Sequence, residues 1–358
     1  SQDSEPGGRS EGESVVINPN VSSLSLPATL ACALLSFSCH SCPDVKSLRE
    51  SIPEEISAGD NEMNYLEEIT ALGSGARRLD LLVVPGIFEG SSYARALAAR
   101  LKADAADEGP SRRSLEEFSI RIGTVLPPGY HPEDKAQGVI PDNSLYVSRI
   151  REVYGSLPAD STKVVISHSW GGATCFSRPL WDAEKDSGAP DLTIASAPAW
   201  SDFVGFASRI SGVILAIPLS QYPARFLTRT IGCRTLTNNP LPEARDIVRG
   251  LPDRFSSRRV AYQSYRRALE GPCLCSHDRD SLRELLMGSG KKVTVIQGTK
   301  DFALNGPGIL AALESYGELN KLAENTTILG GDFDHWPLLE KPGLLGEILE
   351  GNLLQPLD

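Results

Sequence analysis

The sequence predicts an α/β protein: a mostly parallel sheet with helices on both faces, plus an inserted helical segment. Three observations predict it. Short β-branched runs alternate with helix-forming stretches over much of the chain, and that rhythm marks parallel strands joined by helices. One run, Val164-Val-Ile166, passes directly into Ser167-His-Ser-Trp-Gly171 and then into an Ala-rich helical start. Finally, the rhythm fails between about Trp200 and Gly288, where only helical pieces are legible.

Composition bounds the answer. The chain has 358 residues, 41% hydrophobic and 6% aromatic, enough for a substantial core. Lys and Arg number 35 against 46 Asp and Glu, a net charge of −11. That balance argues against a nucleic-acid surface and shows no membrane-binding face. Seven cysteines are an odd number, so at least one thiol is unpaired within the chain. Cys39-His-Ser-Cys42 lacks a partner pair nearby, and Cys273-Leu-Cys275 with His277 has the wrong spacing for a zinc knuckle. Neither metal nor cofactor is therefore expected.

Taken in order, residues 1–58 read as a leader, rich in Ser, Gly, Glu and Asn near its start and without apolar periodicity there. Within it, Leu26–Phe37 is apolar but too short to span a bilayer, and no basic segment precedes it. The expectation is a soluble protein, cytoplasmic for preference, with the role of residues 26–37 open. Asn20-Val-Ser22 and Asn325-Thr-Thr327 match the glycosylation triplet. Residues 59–199 and 289–358 form the α/β core. Met63–Thr70 is a candidate strand, and Leu79–Val84 is a strongly apolar one ending in the loop Pro85-Gly-Ile-Phe-Glu-Gly-Ser91. A helix is expected over Tyr93–Lys102, a strand over Phe118–Val125, a long loop from Leu126 and a helix over Asn143–Leu157. Later strands are expected at Leu192–Ala197, Val293–Gly298 and Thr326–Leu329, with helices near Gly308–Tyr316 and Gly343–Leu354. Residues 200–288 read as a helical cap, with helices near Pro242–Gly250, Arg258–Leu269 and Ser281–Met287.

The pentad around Ser169 is where chemistry is expected. A serine on a tight strand-to-helix turn has its hydroxyl exposed, with the first N–H groups of the helix aimed at the same point. A serine hydroxyl needs a base, and the base needs an orienting carboxylate. The chain has five histidines. His40 is in the leader, His131 in the early loop, His277 in the cap, and His168 should point away from the Ser169 hydroxyl. His335 lies after the last strand, where the base belongs. The preceding strand ends in Gly298-Thr-Lys-Asp301, so Asp301 is the candidate acid, with Asp202 the runner-up. Oxyanion donors are expected at the backbone of Trp170 and of Ile87, or failing that Phe88. Phe88, Trp200 and Trp336 are candidate substrate contacts.

The ordered pieces Val84-Pro-Gly-Ile-Phe88, Pro128-Gly-Tyr130, Ser167-His-Ser-Trp-Gly-Gly172, Gly298-Thr-Lys-Asp301 and Asp334-His-Trp-Pro-Leu-Leu-Glu-Lys-Pro342 resemble the capped α/β-hydrolases over about Glu62–Leu354. Pro85 departs from the His common in that family. The cap segment Pro242–Leu269 resembles those of haloalkane dehalogenases and epoxide hydrolases, which carry Asp-Trp-Gly-Gly at the elbow. Here Ser169 replaces that Asp. A serine opening an epoxide or displacing halide would form an ether, with no carbonyl for water to attack. Serine suits acyl transfer. The resemblance therefore implies a serine hydrolase acting on a small or medium apolar carboxylic ester, with a small-molecule substrate as its partner. Carbon–carbon hydrolysis, lyase or perhydrolase chemistry on the same residues, and a small-molecule sensor, are the alternatives.

Overall fold

The computed structural model describes residues 66–87, 89–106, 109–176, 188–203, 236, 239–249, 266–267, 274, 286, 290–301, 303–318 and 325–354. The leader, including residues 26–37 and Cys39–Cys42, lies outside these residues, as do Phe88, Cys273, Cys275 and His277. So do most of residues 200–288, where the helical cap is expected.

Seven strands form one sheet. They are β1 (Leu66–Leu72), β2 (Arg77–Val84), β3 (Phe118–Val125), β4 (Thr162–His168), β5 (Leu192–Ser196), β6 (Val293–Gly298) and β7 (Thr326–Gly331). Their order is β1-β3-β2-β4-β5-β6-β7. β1 runs antiparallel to β3 and the other neighbours are parallel. The order turns back at β2, which pairs with β3 on one side and β4 on the other. A crevice forms beyond the carboxyl ends of strands at such a reversal.

Alternation along the strands divides the core. Leu79, Leu81 and Val83 face one way with Ile120, Val164 and Ile166, and pack on α1 (Ser91–Asp104) and on α9, which covers Leu344–Leu349. Leu82, Val84 and Val165 face the other way, against Val147 and Ile150 of α4 (Asn143–Gly155). A third cluster joins Val293 and Val295 to Ile309 and Leu313 of α7, which covers Gly306–Glu318. The near-continuous apolar runs follow from burial on both faces.

Two short helices are not among the expected elements, and one of them breaks an expected loop. α2 (Pro110–Glu117) precedes β3, and α3 (Pro132–Gln137) interrupts the loop expected after Leu126. Both start with Pro, preset for the first helical turn, and are too short to show a clear apolar period. α3 is fastened by Asp134, whose carboxylate pairs at 2.6 Å through both oxygens with Arg149 of α4 and accepts from Gly129 N. Among the described residues, the remaining α-helices are α5 (Trp170–Cys175), α6 (Pro242–Arg249) and α8 (Pro337–Glu340), and a π-helical turn follows α9 over Glu350–Leu354. Among the described residues, no helix is long and apolar enough to cross a membrane.

Candidate active site

β4 ends in His168, and α5 begins at Trp170, leaving Ser169 alone in the turn. Its φ of 49° is left-handed, rare and strained for a residue with a side chain. The fold braces it from three directions. Ser169 N donates to Ser196 O at 3.1 Å, while Ser169 O accepts from Ala173 N at 2.9 Å and Ala199 N at 3.0 Å. Gly171 follows because α5 starts hard against β2: a Cβ there would collide with the Val84 and Pro85 carbonyl oxygens.

Beside Ser169 stands His335, in the loop after β7. Its Nε2 lies 3.0 Å from Ser169 Oγ, and its Nδ1 lies 2.9 Å from Asp301 Oδ2. The three side chains form one hydrogen-bonded line, drawn from the ends of β4, β6 and β7. Asp301 is 5% and His335 6% exposed, so water scarcely competes for the contacts between them. Asp301 is further aimed by its own turn. Its Oδ1 accepts from Ala303 N and Leu304 N, each at 3.0 Å, and Oδ2 also accepts from Gln297 Nε2 at 3.0 Å. Gly298 is required where β6 meets the loop after β7, since a Cβ would strike the Phe333 and Asp334 carbonyls.

The loop after β7 carries its own brace. One Glu340 oxygen accepts from Asp334 N at 2.7 Å and the other from Trp336 N at 3.0 Å. The carboxylate of α8 thus straddles His335, which gives a physical reason for the glutamate five residues after the histidine. Burial by itself would push the His335 imidazolium down. The charge and hydrogen bond of Asp301, with Glu89 and Asp334 adding, outweigh burial and hold His335 above its ordinary value.

In this fold, such a turn with loops from neighbouring strand ends is the ligand-facing edge. No protein-family model matches the sequence, and no curated protein does. Solved structures do. MenH from S. aureus superimposes with a TM-score of 0.54 at 11% identity, covering 82% of this chain and 98% of its own. A thermophilic esterase from Thermogutta terrifontis, with malate bound, gives 0.50 at 16% identity, covering 81% and 93%. The chain has the α/β-hydrolase fold.

Within the α/β-hydrolase fold the other expected residues fall as follows. Trp170 begins α5, and the first N–H groups of a helix have no partner within it. Ile87 lies in the loop after β2. Asp202, the runner-up acid, instead accepts from Leu274 N at 3.0 Å and so holds a piece of the cap segment. Trp200 is a packing residue: it is fully buried and stacks on Phe176 at 5.5 Å. Trp336 is also mostly enclosed, and its indole N–H donates to Glu89 Oε1 at 2.7 Å. The expectation of substrate contact at these two indoles meets ring packing and a buried hydrogen bond instead. Cys175 is free and buried, and burial pushes its thiol up to about 12, so it is unreactive at neutral pH. Asn325 Nδ2 donates to Gly290 O at 3.0 Å, a packing use of the second glycosylation triplet.

Sequence reasoning passed over Gln297, Glu340, Asn143 and Glu89. Gln297 and Glu340 carried a signal: a buried amide in an apolar strand, and a carboxylate at a fixed step from His335. Asn143 Oδ1 accepts from Trp170 Nε1 at 2.7 Å, and its Nδ2 donates to Arg267 O at 3.1 Å. It therefore ties the elbow to the cap segment, a link between residues far apart in sequence.

Proposed function

We propose that the protein is a serine hydrolase that cleaves a small or medium apolar carboxylic ester through an acyl-enzyme. The observation that carries this reading is the line Ser169 Oγ–His335 Nε2–His335 Nδ1–Asp301 Oδ2, at 3.0 and 2.9 Å. Ser169 Oγ attacks the ester carbonyl carbon while its proton passes to His335 Nε2. Negative charge collects on the carbonyl oxygen, where the N–H groups of Trp170 and Ile87 stabilise it. His335 then gives the proton to the departing alkoxide, and the C–O bond to the alcohol breaks. Water repeats the sequence on the acyl-enzyme, with His335 again taking and returning a proton. Asp301 keeps the proton-bearing Nδ1 turned away from Ser169 and stabilises the imidazolium as it forms.

The substrate class extends this reading. Residues 200–288 act as a cap over the strand ends, and Asn143–Arg267 and Asp202–Leu274 are contacts that support this placement. A cap excludes water and limits substrate size. A fluorophosphonate should label wild-type protein at Ser169, and Ser169→Ala should abolish labelling; labelling that persists removes the assignment. p-Nitrophenyl esters of rising chain length should show kcat/KM increasing from acetate to a medium-chain acyl group. A preference for a polymeric substrate would contradict the capped apolar site.

A further inference from the structure

A second carboxylate–imidazole contact lies directly behind Ser169, outside the steps described above. His168 is fully buried, and strand alternation turns it to the opposite side from its neighbour's hydroxyl. Its Nε2 lies 2.7 Å from the carbonyl oxygen of His335. A carbonyl only accepts, so Nε2 carries the hydrogen. Its Nδ1 lies 2.7 Å from Glu89 Oε1. Tyr93 lies on this ring at a centroid distance of 4.7 Å, and Trp336 stacks on it at 6.0 Å.

Glu89 is 2% exposed and belongs to the loop after β2. One carboxylate oxygen accepts from Gly86 N at 2.6 Å, and the other accepts from Trp336 Nε1 at 2.7 Å besides meeting His168. A single carboxylate therefore touches the loop that carries Ile87, the end of β4, and the residue after His335. Burial pushes its carboxyl up, but His168, Trp336 and Gly86 together outweigh burial and hold it below its ordinary value. Apolar side chains could fill the same space without desolvating a charge.

We propose that Glu89 and His168 are a positioning pair that fixes the His335 main chain and the Gly86–Ile87 loop relative to Ser169. Its catalytic meaning rests on the ester-hydrolysis reading; its structural content does not. Through His168 the pair grips His335 by its carbonyl, while Asp301 grips the same residue by its ring. Through Gly86 N it shapes the turn whose next N–H is the proposed oxyanion donor. Both sides of the reacting carbonyl are thereby referred to one buried carboxylate. Tyr93 of α1 and Glu340 of α8 also face this cluster, and Asp301 and Asp334 act on His335 from the other loops.

The test is a histidine NMR titration of the full chain, with fluorophosphonate labelling run in parallel. Glu89→Gln keeps the side-chain shape and removes the charge. It should lower the His335 titration midpoint, because one of the anions favouring the imidazolium is gone, and slow labelling of Ser169 about 10- to 100-fold. His168→Ala should shift the His335 resonances and slow labelling similarly. His168→Gln, whose amide still reaches the His335 carbonyl, should recover part of the loss. The double variant Glu89→Gln/His168→Gln, with two neutral amides, serves if a single variant does not fold. If His335 titrates and resonates as in wild type in every folded variant, the proposal is overturned. If wild-type Ser169 is not labelled at all, the ester-hydrolysis reading fails, and the His335 titration still decides the pair.

Discussion

Two buried carboxylate–histidine pairs meet next to Ser169, and they differ in what the second ring nitrogen faces. In the Asp301–His335 pair, Nε2 faces a hydroxyl at 3.0 Å, a group that can give up a proton. In the Glu89–His168 pair, Nε2 faces a carbonyl at 2.7 Å, a group that can only accept. On the readings proposed above, the same two side-chain types make a proton shuttle in one place and a fixed tether in the other. The rings are close, 4.8 Å between centroids and edge-on, and the tether is attached to the backbone of the shuttle. Reactivity is decided by the third group in each chain of hydrogen bonds, not by the carboxylate–imidazole contact itself.

The largest effect expected on this contrast comes from removing the proton donor. Ser169→Ala should lower kcat by about 10⁴- to 10⁶-fold on an activated ester, measured with enough protein to detect the residual rate. Next comes the carboxylate of the shuttle. Asp301→Asn should lower kcat by roughly 10⁴-fold by favouring the wrong tautomer of His335. Asp202→Asn should change kcat less than about 3-fold, since an asparagine oxygen can still accept from Leu274 N. A reversal of these two results would move the acid to the earlier strand. A smaller change is expected at the loop brace: Glu340→Ala releases the N–H groups on either side of His335, and kcat should fall about 10- to 100-fold with KM little altered.

The smallest effect is a displacement in pH. The base must be neutral to accept the serine proton, so kcat/KM should rise with pH as His335 loses its proton. His335 is held above the ordinary imidazole value by Asp301, Glu89 and Asp334. The acid limb of the wild-type profile should therefore lie above about pH 6.5. Adding 1 M salt should leave it nearly unchanged, because the anions concerned are enclosed rather than at the surface. A limb at or below the ordinary value, or one that collapses in salt, would mean that the pair is more open to water than its burial indicates.

Some of this arrangement is written locally. The strands Phe118–Val125 and Val293–Gly298 coincide with their expected ranges because β-branched, alternating patterns and flanking turns are properties of neighbouring residues. Ser169 in a strand-to-helix turn, Asp301 past a strand end and His335 past the last strand follow from the same short-range pattern and from chain order. The aromatic contacts were less readable. Trp336 flanks His335 in sequence and Trp200 opens the expected cap segment, yet one donates to Glu89 and the other stacks on Phe176. Nearness along the chain says nothing about which face a ring turns to.

The remaining assignments belong to three dimensions. Glu89 and Trp336 are 247 residues apart, and His168 and His335 are 167 apart. Nothing in either local stretch distinguishes Glu89 from a solvated loop carboxylate or His168 from an ordinary strand residue. They become partners only when β2, β4 and the β7 loop converge at one sheet edge. There, removal of water makes an unpaired charge or donor costly, which favours answering polar atoms with others brought from distant parts of the chain. Period, turn chemistry and residue order are short-range and survive in a one-dimensional reading. The pairing of buried polar groups is a consequence of packing and is settled only by the fold.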